Sequence, residues 1–125
     1  MRLTDAEWVV MNVLWEQAPA TARDIRRHLP RGTAWAYTTV KTLLTRLQDK
    51  GAVTSVKAGR SDLYSPALPR SEARRNALSE VLSKAFQGGV TSLMHCLVET
   101  QELTEDQKRE LLGLLGESGK EGQEP

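Results

Sequence analysis

Thr38, Thr39, Lys41, Thr42, Thr45 and Arg46 share one side of the segment WAYTTVKTLLTRLQDKG, which runs from Trp35 to Gly51. The other side carries Val40, Leu43, Leu44 and Leu47 at helical spacing, an apolar stripe suited to a core. The polar side consists of short hydroxyls framed by two cations, with no carboxylate before Asp49. A helix that needs only solubility usually mixes in Glu and pairs it with Lys four residues on. Thr, Lys and Arg together suit a helix lying in a major groove. Hydroxyls donate or accept at base edges, threonine methyls touch thymine methyls, and cations reach phosphates or guanine. The alternative is a solvated helix face that lacks acids.

Other chemistry is thinly represented. The chain has two histidines, His28 and His95, and one cysteine, Cys96. It contains no glycine-rich phosphate loop, nucleophile elbow or metal-spaced cluster. His95 and Cys96 are adjacent, so on a helix their side chains splay about 100° apart and cannot easily share an ion. No catalytic residue, metal or cofactor is therefore expected. Trp8 and Trp15, at helical spacing, are expected in the core and not as a stacking platform for single strands.

The elements that must present the Thr/Lys/Arg face can be read on either side of it. Thr4-Asp5-Ala6-Glu7 has the form of a capping box, opening a helix to about Gln17 with Trp8, Val10, Met11, Leu14 and Trp15 inward. Pro19 stops it, and Thr21-Ala22-Arg23-Asp24 caps a short second helix whose inner face is Ala22, Ile25 and Leu29. Pro30-Arg31-Gly32 is a turn before helix three, and Gly51 ends that helix. The period then changes to that of strands in residues 52–57 and 62–66, joined by Ala58-Gly59-Arg60-Ser61. Three short helices and a hairpin form the order of a winged helix-turn-helix, which puts helix three in the groove and Arg60 at the wing tip near the backbone. The fold class expected is mostly α with a small β-hairpin, a winged helix followed by a helical dimerisation region.

Bulk properties agree. At 125 residues, with 39% hydrophobic and 26% charged residues, the chain is an ordinary soluble domain or two small ones. No run nears the ~18 apolar residues of a membrane span. The start, MRLTDAEW, lacks signal-peptide form, so a cytoplasmic protein without membrane insertion is expected. The lone cysteine excludes an internal disulfide. Residues 1–70 hold 11 Lys/Arg against 6 Asp/Glu, and residues 71–125 hold 6 against 10. A basic first part suits a polyanion and an acidic second part has a different task.

That second part reads as three helices, the first from about Glu72 to Phe86, then Thr91–Glu99, then one capped by Thr104 and Gln107. Their apolar positions include Leu78, Val81, Leu82, Phe86, Leu93, Leu97, Leu111, Leu112 and Leu115, more than about 45 residues can cover alone. Packing against a second copy would cover them and would double the reading heads for a palindromic site. The alternative is that they fold back on their own winged helix. The expected division is 1–70 for the winged helix, 71–115 for dimerisation and 116–125 for a disordered Gly/Glu/Lys-rich tail.

Four stretches together resemble the penicillinase-repressor family of bacteria, the BlaI/MecI/CopY group. They are LTDAEWVVMNVLW, TTVKTLLTRLQDKG, GRSDLYSPALPR, and FQGGVTSLMHCLVE followed by LTEDQKRELLGLL. The resemblance runs from Leu3 to about Leu115. It implies a homodimeric winged-helix repressor that binds a short palindromic operator in double-stranded DNA, with Thr38, Thr39, Lys41, Thr42, Thr45, Arg46 and Arg60 at the family's reading positions. It also implies, for the β-lactam branch, a membrane metalloprotease sensor as partner and release by cleavage within helix five. The family's scissile Asn-Phe bond aligns with Cys96-Leu97, a departure in both residues. The copper branch uses paired Cys-x-Cys motifs, which a single cysteine cannot supply. Two other readings remain at this point: a winged helix that docks on another protein, and a repressor switched by a small ligand.

Overall fold

In the computed structural model, the backbone is described for residues 1–87 and 89–122, and side chains as far as Leu114. Helix α1 (Asp5–Gln17) opens on the reciprocal pair that TDAE announces. The Glu7 N–H donates to the Thr4 hydroxyl at 3.2 Å, and the Thr4 N–H donates to the Glu7 carboxylate at 2.8 Å. Thr21 and Asp24 repeat the arrangement for α2 (Ala22–Arg27). Helix α3 (Tyr37–Asp49) has Ala36 at its N-cap and no side-chain cap. At its far end the Gly51 N–H reaches the Gln48 carbonyl and the Ala52 N–H reaches Leu47, both at 2.9 Å. Gly51 sits at φ +82°, the left-handed position this helix stop requires.

Strands β1 (Val53–Ala58) and β2 (Ser61–Pro66) pair antiparallel, Val53 opposite Pro66 and Ala58 opposite Ser61, so Gly59 and Arg60 form the tip. The hairpin is tied back to the α1–α2 linker by two backbone bonds, Ala20 N–H to the Tyr64 carbonyl (3.0 Å) and Tyr64 N–H to the Ala20 carbonyl (2.8 Å). Beneath lie Met11, Leu14, Ile25, Val40, Leu44 and Leu47, all fully buried. The winged helix-turn-helix expected from the helix and hairpin order is thus present.

Trp8 and Trp15 prove to be only half-buried. Their rings meet edge to face at 5.9 Å on the rim of the core, and the Trp15 indole N–H donates to the Leu68 carbonyl at 3.0 Å. An indole needs a partner for its N–H, which draws it to the edge.

Helix α4 spans Arg70–Ala85, α5 Val90–Glu99 and α6 Glu105–Gly122. Helix α4 starts at Arg70 and not at Glu72, because the Pro69 carbonyl accepts the Ala73 N–H at 3.0 Å. It ends before Phe86, which lies just beyond the last turn. Thr104 and Gln107 cap α6 reciprocally. Helix α6 continues to Gly122, into the segment expected as a disordered tail; Gln123 to Pro125 lie outside the described residues. The chain divides into two compact units, Met1–Leu78 and Ser79–Pro125, so the start of α4 groups with the winged helix through buried Ala73. Among the described residues none after Ala73 is buried. None of the described helices is long and apolar enough to cross a membrane.

Candidate nucleic-acid interface

Burying Val40, Leu43, Leu44 and Leu47 fixes the rotation of α3 and leaves the opposite face outward. Thr38, Thr39, Thr42, Thr45 and Arg46 are all exposed there, and Thr38, Thr39, Thr42 and Arg46 line a shallow groove. Two of the hydroxyls are committed. Thr42 Oγ1 donates to the Thr38 carbonyl at 2.9 Å, and Thr45 Oγ1 donates to the Lys41 carbonyl at 3.0 Å. Each spends its proton inside the helix and keeps its lone pairs for whatever lies outside. The first turn of α3 contains no acid and its N-cap, Ala36, has no side-chain acceptor; the Ala36 carbonyl takes the Thr39 and Val40 N–H groups at 3.1 and 3.3 Å.

Lys41 behaves differently from its neighbours. It leaves the outer face for the wing, where Nζ donates to the Tyr64 hydroxyl at 3.0 Å and lies 3.8 Å from Asp62 Oδ2. The ammonium also sits 5.6 Å from the Tyr64 ring centroid. The hydrogen bond to Tyr64 raises the Lys41 pKa above its ordinary value, more than desolvation lowers it. Asp62 is shared with Lys57, 3.5 Å away across the hairpin. The wing tip residue Arg60 is exposed. A cleft of about 290 Å³ opens between α2, α3 and the wing, lined among others by Arg23, Tyr37, Lys41, Arg60, Asp62 and Tyr64.

Reading the sequence did not single out Arg23, Tyr37, Asp62 or Tyr64 for this face. Tyr64 and Asp62 looked like strand residues, and their link to Lys41 spans a separation that no periodicity reveals. The spacing of β2 offered one clue: Asp62 and Tyr64 alternate on the same side of the strand.

The scaffold behind α3 is equally specific. Arg26 Nε donates to the Trp35 carbonyl at 3.0 Å, closing the turn before α3. At the other end Lys50, the C-cap of α3, donates to the Glu7 carboxylate and to the Arg2 carbonyl. Glu7 is 1% exposed.

Of the residues expected at a dimer contact, three stand open. Leu78, at the end of the first unit, is 50% exposed, Val81 47% and Leu112 67%; Leu82, Phe86, Leu93, Leu97 and Leu111 are half-buried. Leu115 lies in α6, but its side chain is outside the described residues. Met94, Leu97, Val98, Leu103, Leu111 and Leu112 line an apolar groove between α5 and α6. Cys96 is exposed, with its carbonyl accepting the Thr100 N–H at 3.0 Å. His28 Nδ1 lies 2.8 Å from the Asp24 carbonyl and His95 is exposed. Among the described residues no group of three or more His, Cys, Asp and Glu could hold a metal ion.

A family model described as penicillinase repressor matches residues 3–117. The methicillin resistance regulatory protein MecI of Staphylococcus aureus is 30% identical over 113 residues, 90% of this chain and 92% of its own length. The penicillinase repressor of Bacillus licheniformis is 28% identical over 116 residues, covering 93% of this chain and 91% of that protein. Among solved structures, the DNA-binding domain of the repressor BlaI superposes with a TM-score of 0.51 at 32% identity, over 57% of this chain and 87% of that domain.

Proposed function

The chain belongs to the penicillinase-repressor family, a family of repressors and not of enzymes, and from that membership we propose that it is a homodimeric transcriptional repressor reading a palindromic operator. The observation that carries this reading is the outer face of α3. Thr38, Thr39, Thr42, Thr45 and Arg46 stand exposed side by side with no carboxylate among them. Such a face fits a major groove, and the wing beside it brings Arg60 to the sugar-phosphate backbone.

Phosphate neutralisation supplies most of the affinity. If the dimer displaces counterions from roughly six to ten phosphates, binding falls by ~10³ to 10⁵ between 50 and 200 mM salt. Base contacts from α3 add discrimination of ~1–3 kcal/mol for each well-read base. The second copy is favoured by the apolar side chains of α4, α5 and α6, which one chain leaves partly or largely exposed. Coupling two heads through those helices makes the second half-site contact intramolecular, so loss of the contact weakens operator binding steeply.

The reading extends to release by a membrane metalloprotease sensor that cuts at Cys96-Leu97, separating the heads from the self-associating helices. That bond lies inside α5, and a protease cleft takes extended chain, so α5 has to open locally first.

The test is fluorescence anisotropy on the DNA upstream of the protein's own gene, with a scrambled duplex as competitor at two salt concentrations, alongside sedimentation equilibrium. A dimer whose binding survives the competitor and protects a palindrome is expected. Equal loss from both duplexes as salt rises would remove the reading role and leave a basic winged helix that docks on a protein.

A further inference from the structure

The cleft between α2, α3 and the wing has a charge arrangement that solvation alone does not require. Arg23 comes from α2, Lys41 from α3 and Arg60 from the wing tip, and all three line one concavity. Neither carboxylate at its wall is left over. Asp24 is taken by the Thr21 N–H in the α2 cap, and Asp62 is shared between Lys41 and Lys57. Among the described residues, the Arg23 and Arg60 guanidinium groups have no ion-pair or hydrogen-bond partner. Tyr37 adds an exposed phenol at the start of α3. Lys41 is ordered in advance: one of its three N–H bonds goes to the Tyr64 hydroxyl, leaving others for a ligand. Tyr64 is itself buried and pinned through its backbone to Ala20.

We propose that this cleft seats one backbone phosphate of the bound duplex, with Arg23, Lys41 and Arg60 as its cations and Asp62 and Tyr64 as the residues that position Lys41. The site joins the recognition helix to the wing, where a strand leaving the major groove runs on toward the tip. A phosphodiester there meets guanidinium forks and an ordered ammonium, a combination suited to tetrahedral oxyanions. On this assignment Lys41 sets register and does not read a base, which separates it from the five outward residues of α3. The inference rests on the DNA-binding reading above and adds a specific contact to it.

The experiment measures the affinity of the full-length protein for its upstream duplex and for a scrambled duplex across a salt series. Wild type is compared with Arg23→Gln, Tyr64→Phe and Arg46→Ala. Arg23→Gln is expected to weaken both duplexes by the same factor and to lower the slope of log K against log salt by about 0.9 for each protomer, one phosphate's worth per cleft and about 1.8 for the dimer. Tyr64→Phe keeps the buried ring and loses the hydroxyl, so a smaller, equally uniform loss with a shallower slope is expected. A purely structural role for Tyr64 would lower the melting temperature and leave the slope alone, which would remove it as a positioning residue. If Arg23→Gln changes neither affinity nor slope while Arg46→Ala still lowers operator preference, the phosphate seat is wrong and the reading helix stands. If wild type shows no operator preference at all, the proposed function fails first. Inorganic phosphate that binds through Arg23, with duplex affinity indifferent to that residue, would make the cleft a free-anion site and overturn the assignment.

Discussion

The Lys50 ammonium that ends α3 hydrogen-bonds the Glu7 carboxylate that opens α1, across a separation of 43 residues. Glu7 thereby has two partners, since it also accepts the Thr4 N–H of its own capping box. Its other oxygen, Oε2, is buried and has no hydrogen-bond partner. The pair fixes where the recognition helix stops relative to the helix beneath it.

Removing the cation should therefore cost more than an exposed ion pair would. Lys50→Met strands a carboxylate that is 1% exposed, and a loss of about 3 kcal/mol is expected, at the low end for a broken buried pair because Lys50 reaches solvent. Glu7→Gln removes the charge instead and should cost less. Burial pushes the Glu7 carboxyl up, but hydrogen bonds from Lys50 and Thr4 outweigh it and hold the pKa below its ordinary 4.5. A depressed folded pKa gives stability that is complete above the unfolded value and lost as pH falls through the folded one. Denaturant midpoints between pH 7 and 3 should show wild type and Glu7→Gln converging only below about pH 4.5. A gap that persists unchanged in acid would mean the charge contributes nothing.

Arg46 lies on the exposed face of α3 and lines the same shallow groove as Thr42. Arg46→Ala should weaken operator binding by about 1–3 kcal/mol while leaving the melting temperature within error, because no buried atom is lost. Anisotropy against operator and scrambled duplexes separates the outcomes. Parallel weakening of both would make Arg46 a phosphate contact.

Thr42 gives a sharper chemical prediction. Its proton is held by the Thr38 carbonyl, so it presents acceptor lone pairs and a methyl to the groove. The base edges that match are the amino groups of adenine and cytosine and the thymine methyl. Thr42→Val keeps the shape and the methyl but loses the acceptor. Selection from a randomised operator should then relax at a position held by adenine or cytosine in wild type. Relaxation at a guanine would show that the hydroxyl turns its proton outward on binding.

Leu112→Asp tests the dimer without endangering the helices. Leu112 is 67% exposed, so the charge disturbs little within one chain. Sedimentation equilibrium should show a monomer with unchanged helical circular dichroism. Leu111→Asp should do both harms at once, since Leu111 is half-buried in the α5–α6 groove. A Leu112→Asp dimer of wild-type affinity would move the contact elsewhere on the second unit.

What could be read in advance divides along the range of the interactions. The caps at Thr4, Thr21 and Thr104 are set by residues three apart, and each forms as its sequence implies. The stripe Val40-Leu43-Leu44-Leu47 oriented α3 correctly, because a single period of 3.6 determines its face. Lys41 could not be separated from Thr42 by such means. Its partners Asp62 and Tyr64 lie in another element, and only the closed hairpin brings them within reach. Glu7 looked like a cap and proved also to be a buried ion-pair member for the same reason. The start of α4 escaped for a local cause: the Pro69 carbonyl takes the first intrahelical bond, so the helix begins at Arg70.

The two backbone bonds between Ala20 and Tyr64 join the short linker after α1 to the wing by an isolated bridge beside the two-stranded hairpin. That linker cannot lengthen or shorten independently. One residue inserted between Pro19 and Thr21 would shift the bridge register, pull Tyr64 from the core and carry Lys41 with it, although the insertion would lie far in sequence from both. The hairpin tip at Gly59-Arg60 is bound by no such bond to the core. Length is thus free to drift at the end of the wing and fixed at its root.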